Sequence, residues 1–295
     1  MFKQSLKYFT HLYLFWIGFF TVERLLFLIY NVEISNLEFS QLIEPFLWSI
    51  RLDLSSVCYL ISPLFLLWII HLFIPIKRFR IYHKLYFFIL IPVLAFGMVA
   101  GLEVYHEWGF KINREVVEYL QFPKEAWASS LNSPILLGFV IYFIYTVFFL
   151  KWSWRIANAL PNITSDASGL NIKWIAKNGS AGIFSIILFG VCLRGGLQQS
   201  PINQSFAYYS TDTALNAAAV NTVWNFIYSY SRKGQKNPYQ FFTNDELDEM
   251  IKPTEDDKPF PKIFTGNNHN IILIVLESIS SEMFKSMGSK DRFTI

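Results

Sequence analysis

The acid best placed for chemistry in this sequence is Glu277, which follows an uninterrupted run of six aliphatic residues at positions 271–276. Four of the six are β-branched and the run is too short to cross a membrane, so it predicts a strand buried on both faces of a parallel sheet. In open α/β sheets ligands bind beyond the carboxyl ends of the strands, which makes Glu277 a candidate metal ligand or catalytic acid. The alternative is an ordinary acid at a strand-to-helix turn, with Ser278 as the helix cap.

A second set of polar groups lies where the chain is most apolar. Glu23 and Arg24 interrupt the first apolar run, and charges at that depth are costly unless they pair or face a polar cavity. Because the two residues are adjacent, their side chains point in different directions. We therefore expect each to find a partner on another helix, and a structural pair is favoured over a substrate site.

The segment after the third apolar run carries a dense set of ionisable groups. Glu103, His106 and Glu107 share a face if this segment is helical, and the sequence leaves two interpretations, a metal site or an internal hydrogen-bond network. The network is the commoner arrangement and is favoured. Lys111 and Arg114 follow, with Trp108 and Phe110 beside them, and together they form a basic and aromatic loop.

The amino-acid composition indicates the class of protein to which these candidate residues belong. The 295 residues are 53% hydrophobic and only 16% charged, with a mean hydropathy of +0.33, which excludes a single soluble domain and a disordered chain. A net charge of +3 gives no reason to expect a nucleic-acid partner. The two cysteines, Cys58 and Cys192, lie inside apolar runs and are interpreted as small buried hydrophobic residues rather than as a disulfide framework or a metal site.

Apolar runs predict five membrane spans, at residues 12–30, 54–76, 85–102, 135–150 and 175–193. The fifth is the weakest because Lys177 and Asn178 lie within it. The connections on one side hold ten Lys and Arg residues against four on the other, which predicts a cytoplasmic N-terminus and an extracytoplasmic chain after Arg194. Arg194 and Arg51 lie at predicted span ends, where a guanidinium can meet a lipid phosphate or a protein acid.

Beyond the spans, composition changes and predicts three regions: a membrane domain at 1–194, a helical linker at 195–269 and the start of an α/β domain at 270–295. Within the linker, apolar residues at three- and four-residue spacings predict one amphipathic helix over 212–230. Thr243 and Glu246 have the spacing of a capping box at the start of another helix.

The order of these features resembles the lipoteichoic acid synthase family of phosphoglycerol transferases. The resemblance rests on Asn-Ile-Ile-Leu-Ile-Val-Leu-Glu-Ser from Asn270, Arg-Leu-Asp-Leu from Arg51, the segment from Glu103 to Asn113, Arg-Gly-Gly-Leu-Gln from Arg194, Pro-Ile-Asn from Pro201 and the segment at 215–221. It covers nearly the whole chain. It implies a mainly α protein in which a five-helix membrane bundle and a helical linker precede the first strand of a truncated alkaline-phosphatase-like (sulfatase) domain.

The resemblance also implies a chemistry. Glu277 is expected to bind a divalent cation, manganese or magnesium, and the donor is expected to be a phospholipid such as phosphatidylglycerol. Lys111, Arg114, Arg51 and Arg194 are the candidate substrate-binding residues. The family's threonine nucleophile and remaining metal ligands are expected beyond Ile295, so no catalytic residue is assigned in this chain, which is expected to be an inactive fragment of a longer protein.

Two other functions stay open at this point. A phosphoethanolamine transferase or a lipid-linked sulfatase shares the glutamate position and the order of a membrane domain before a catalytic domain. A membrane scaffold or receptor with five spans is the non-enzymatic alternative.

Overall fold

A computed structural model describes residues 2–74, 76, 78–131, 133–159, 172–231, 241–251 and 272. These residues are mainly helical and contain no strand. Ten α-helices are described, namely α1 (Phe2–Asn31), α2 (Phe39–Phe73), α3 (Phe79–Trp108), α4 (Arg114–Tyr119), α5 (Pro123–Ser130), α6 (Ile135–Asn158), α7 (Ile172–Arg194), α8 (Thr213–Ala219), α9 (Thr222–Ser231) and α10 (Asn244–Ile251). Short 3-10 turns cover Ile34–Asn36 and Gln204–Ala207.

The chain divides into two units, Met1–Gln235 and Lys236–Ile295. The first holds α1 to α9. The second holds α10, whose start is the predicted capping box: the Thr243 backbone N–H and hydroxyl both donate to Glu246 Oε2, at 2.8 and 2.9 Å, and the Glu246 N–H donates back to Thr243 Oγ1.

Four described helices, α1, α2, α3 and α6, have stretches long and apolar enough to cross a membrane. They correspond to the first four predicted spans. In α7, the described apolar stretch is Gly179–Arg194. Large apolar side chains on α6 are exposed, Phe139, Phe143 and Ile144 among them, as is usual for a helix that faces lipid. The protein is therefore membrane-embedded.

Helix α2 begins earlier than the sequence pattern indicated, at Phe39 rather than at the start of the predicted span at residue 54. Its first turns carry Gln, Glu, Ser and Arg residues, so hydropathy alone assigned them to a connection. Part of this segment is covered by the following chain: the Trp48 and Tyr209 rings stack with an interplanar angle of 2°. Tertiary contacts thus accompany a helix that extends beyond its apolar span.

Aromatic side chains form the seam between α1, α3 and α6. Phe15 and Phe19 of α1 meet Phe149 of α6 with ring centroids 5.6 and 4.9 Å apart, and Trp16 stacks on Phe87 of α3 at 5.5 Å. All five rings are essentially inaccessible. Edge and offset contacts of this kind add about 0.5–1.5 kcal/mol each beyond their buried area. The high aromatic content therefore serves helix packing as well as the membrane interface.

A buried hydrogen-bond network joins the same three helices near the N-terminus of α1. His83 of α3 is fully buried, and its Nδ1 lies 2.7 Å from the Tyr8 hydroxyl of α1. Its Nε2 lies 3.1 Å from the Ser153 carbonyl oxygen of α6. Because both ring nitrogens have partners, this buried histidine has a structural role in helix packing.

Candidate functional site

At the opposite end of α1, four buried charges compensate one another. The guanidinium Nη2 of Arg24 donates to both carboxylate oxygens of Asp53 on α2, at 3.1 Å each. Glu23 points elsewhere, toward Lys111, whose Nζ lies 3.8 Å from Glu23 Oε1. We call Glu23, Arg24, Asp53, Lys111 and Asn221 the polar cluster. The prediction that Glu23 and Arg24 have separate partners on other elements is confirmed.

The polar cluster holds the junction between α8 and α9. The sequence predicted one helix over 212–230, and that prediction is wrong because the helix is broken at Val220 and Asn221. On the α8 side, Arg24 Nε donates to the Ala218 carbonyl oxygen at 2.9 Å, and Lys111 Nζ donates to the carbonyl oxygen of Val220. Cations thus bind carbonyl groups that the end of a helix leaves without intrahelical partners.

On the α9 side, the polar cluster supplies hydrogen-bond acceptors for N–H groups, whereas on the α8 side it supplies donors for carbonyl groups. Glu23 Oε1 accepts from both the backbone N–H and the hydroxyl of Thr222, at 2.7 Å each. Asn221 is the N-cap: its Oδ1 accepts from the Trp224 N–H at 2.7 Å while its Nδ2 donates to Asp53 Oδ1 at 2.8 Å. A carboxylate at a helix N-terminus is favourable because it meets unpaired N–H groups and the positive end of the helix dipole.

Lys111 closes the polar cluster from the loop after α3. Helix α3 ends at Trp108 and is capped by Gly109, whose φ of 72° is the left-handed conformation that glycine adopts readily, and the chain then turns toward the bundle. The Lys111 side chain is only 9% exposed and its Nζ lies 4.8 Å from the ring centroid of Phe27. Burial lowers the pKa of Lys111 to about 8, while Glu23 acts in the opposite direction. This predicted substrate-binding residue is engaged in structural contacts.

Above Lys111 lies a groove of about 870 Å³ between the loop after α3, α4, α8 and α9. Its lining is polar and aromatic and includes Arg114, Glu118, Tyr208, Asn216, Asn225 and Tyr228. Arg114 Nε donates to Glu118 Oε1 at 2.6 Å, and both side chains are about half exposed. Within the described chain Arg114 makes no other ion pair, so its two Nη groups can serve a ligand in the groove.

The other two predicted substrate residues meet elsewhere, at the Gly195–Gly196 turn that follows α7. Arg51 Nε and Nη2 donate to the Gly195 carbonyl oxygen at 3.2 and 3.1 Å, and its guanidinium lies 4.5 Å from the Phe206 ring centroid. Arg194 Nη2 donates to the carbonyl oxygens of Gln198 and Gln199. The structure therefore brings Lys111 and Arg114 together at the groove, and Arg51 and Arg194 together at the turn.

Two of the ionisable residues before the groove, Glu103 and His106, contact Tyr30 of α1. The Tyr30 hydroxyl donates to Glu103 Oε2 at 2.5 Å, and the Tyr30 ring lies 5.5 Å from the His106 ring. Among the described residues no group of three or more His, Cys, Asp or Glu side chains is arranged to hold a metal ion. Glu277 and the predicted strand, apart from Ile272, lie outside the described residues, so the expected manganese or magnesium site stays a prediction.

Sequence reasoning missed Asn221, which belongs to the polar cluster, and Thr222, which donates to Glu23 of that cluster. Neither has a chemical signal by itself, since an Asn-Thr pair inside an apparently continuous amphipathic pattern gives no sign of a break. The available signal was indirect: Glu23 and Arg24 needed polar partners, and Asn is a strong N-cap.

Comparisons of the chain with protein-family models, with curated proteins and with solved structures found no match.

Proposed function

We propose that this chain is the membrane-embedded part of a phosphoglycerol transferase that resembles the lipoteichoic acid synthases and acts on phospholipid headgroups. The observation that carries the proposal is the groove beside the polar cluster, where the guanidinium of Arg114 is accessible. A membrane bundle that presents a cation in a polar groove at one end suits a lipid phosphate as ligand. The resemblance of the segment around Glu277 supports the same function.

The groove is assigned to the extracytoplasmic face of a bacterial plasma membrane. Ten Lys and Arg residues in the connections of the opposite side, against four on this side, favour a cytoplasmic N-terminus. With that orientation the end of α1, the start of α2, the end of α3 and the pair α8 and α9 all lie outside. The segment that leads to Glu277 then begins on the side where a phospholipid headgroup of the outer leaflet is accessible.

In this account the residues of the groove bind and orient the headgroup. Arg114 offers its two Nη groups to the phosphate, because its Nε is already held by Glu118. Lys111 fixes the loop that precedes Arg114 and α4 by its bond to Val220. Glu277 is proposed to bind the manganese or magnesium ion, which when bound would polarise a phosphoryl oxygen. The nucleophile is proposed to lie beyond Ile295.

The test uses the protein translated from the complete reading frame that contains this sequence, reconstituted in phosphatidylglycerol vesicles with Mn²⁺. We expect release of diacylglycerol, and loss of that release in Glu277→Gln. Glu249→Gln, a change of an exposed acid on α10, is the matched control and is expected to retain the activity. No release from phosphatidylglycerol under these conditions contradicts the proposal, and release from phosphatidylethanolamine vesicles instead favours a phosphoethanolamine transferase.

A further inference from the structure

The only two cysteines of the chain lie on the interface between α2 and α7, although they are separated by more than a hundred residues in sequence. Cys58 of α2 is fully buried, and Cys192 lies near the end of α7 and is partly exposed. Cys58 lies one turn after Ser55 on α2, and Cys192 directly precedes Leu193 on α7, so the contact between Ser55 and Leu193 places the two cysteines on the same helix interface, where both thiols are free. The Tyr13 hydroxyl of α1 lies 2.7 Å from Cys58 Sγ on the same seam.

Other contacts establish that α2 and α7 are held in this register. Beside the two cysteines, the Ser55 hydroxyl donates to the Leu193 carbonyl oxygen at 2.5 Å. Farther along the same seam the Phe65 and Phe189 rings stack with centroids 4.1 Å apart and an interplanar angle of 4°. The approach of the thiols is therefore part of a continuous helix interface.

Helix α7 depends strongly on this interface. Among the described elements its contacts are concentrated on α2, whereas α3, for example, packs on α1 and on α6. Large side chains of α7 such as Ile183, Phe184 and Ile187 are exposed. A covalent bond between α2 and α7 would strengthen the interface on which the described contacts of α7 are concentrated.

We propose that Cys58 and Cys192 form a cross-linking site, at which a protein or small-molecule disulfide in the extracytoplasmic space oxidises both thiols and ties α7 to α2. Cys192, the more accessible residue, loses its proton to water, and its thiolate attacks one sulfur of the oxidant while the other sulfur leaves as a thiolate. Cys58 then loses its proton and attacks Cys192 Sγ, which releases the second oxidant thiolate. The two cysteines are oxidised to one disulfide and the oxidant is reduced to two thiols.

The inference requires the orientation given with the proposed function, because disulfides persist outside the cytoplasm. It does not require transferase activity.

Cells that express the full-length protein are incubated with oxidised glutathione, quenched with acid and denatured, and free thiols are blocked with N-ethylmaleimide. After reduction, a maleimide-polyethylene glycol reagent labels only the cysteines that were oxidised, and each label retards the protein on a gel.

We expect two labels on the wild-type protein after reduction and none when reduction is omitted. Cys58→Ser combined with Leu66→Cys is the matched control: it keeps two cysteines, but moves one of them two turns along α2 to a lipid-exposed position, and it should lose the intramolecular cross-link. A mass measurement of the wild-type peptides distinguishes a Cys58–Cys192 disulfide from two glutathione adducts. Wild-type protein in which both thiols are blocked before reduction, or in which each cysteine carries glutathione, overturns the inference.

Discussion

Glu23 and Arg24 are consecutive residues of α1, yet their side chains bind opposite sides of the break between α8 and α9. Arg24 donates to the Ala218 carbonyl oxygen where α8 ends, and Glu23 accepts from the Thr222 N–H where α9 begins. The sign of each charge matches the helix end that it meets. The pair thus joins a membrane helix to a segment two hundred residues later in the chain, and both charges are compensated by Asp53 and Lys111.

Replacing Arg24 by Met is expected to lower the free energy of unfolding by about 3–5 kcal/mol, because it leaves the carboxylate of Asp53 buried without its cation. Arg114→Met breaks the exposed pair with Glu118 and is expected to cost less than about 1 kcal/mol. Unfolding of both variants in the same detergent, followed by circular dichroism, compares them directly. Equal stability losses would mean that the Arg24–Asp53 pair is solvated.

Gly195→Ala tests the turn that Arg51 binds. Gly195 has a φ of +78°, and an added Cβ would lie 2.5 Å from Ile202 Cγ2, so the substitution meets both backbone strain and a clash with a buried side chain. We expect a loss of about 1–3 kcal/mol. Gly179→Ala is the matched control, since a Cβ there has no atom within 4 Å and the residue is helical. Equal melting temperatures of the two variants would contradict the strain and the clash expected at Gly195.

The lowered pKa of Lys111 leads us to expect that the stability of the protein depends on pH in a specific way. Its pKa is about 8 in the folded protein against about 10.4 for an ordinary lysine, so between these values the unfolded chain binds more protons than the folded one. Relative to Lys111→Met, the wild-type protein should therefore gain stability as the pH rises from about 8 to about 10.4, by at most about 3 kcal/mol. Below pH 8 the difference should be constant.

Unfolding of the wild-type protein and of Lys111→Met at pH 7 and pH 10 measures this difference, and the contributions of all other lysines cancel. The prediction depends on the charges that face Lys111: Glu23 favours its protonated form, whereas Arg24 opposes it. A difference that does not change with pH would show that Lys111 keeps an ordinary pKa and is hydrated.

Arg114→Gln is expected to reduce lipid turnover by the full-length protein at least tenfold, since a cation-to-phosphate hydrogen bond contributes about 1.5–3 kcal/mol. Lys124→Gln removes a positive charge from an exposed position on α5 that does not line the groove, and it should leave turnover unchanged. Initial rates of diacylglycerol release from phosphatidylglycerol vesicles compare the two. Similar rates for Arg114→Gln and the wild-type protein would mean that Arg114 does not bind the headgroup.

The sequence predicted the features that depend on local patterns. Four apolar runs became long helices, Glu23 and Arg24 found separate partners, and the Thr243 capping box formed as its spacing indicated. Each of these follows from periodicity, from the cost of a buried charge or from backbone chemistry within one turn. None requires knowledge of which distant segments meet.

Features set by long-range contacts could not be predicted in this way. The break at Val220 and Asn221 interrupts a continuous apolar periodicity, and it is accompanied by bonds to α1, α2 and the Lys111 loop. Long-range contacts also explain why the Lys111 side chain lies within the polar cluster rather than in solvent. Loop lysines are ordinarily exposed, so the burial of Lys111 depends on its distant partners, the Val220 carbonyl, Glu23 and Phe27.

The orientation of the groove is the central claim of this account, and reporter fusions after Ser231, the last residue of α9, test it most directly. Alkaline phosphatase, which is active only outside the cytoplasm, should be active at this position and inactive when fused after Asn158 at the end of α6. A reporter that requires the cytoplasm should give the opposite pattern. Cytoplasmic activity of the fusion after Ser231 would contradict the account, because the groove and the segment leading to Glu277 would then face away from the outer leaflet.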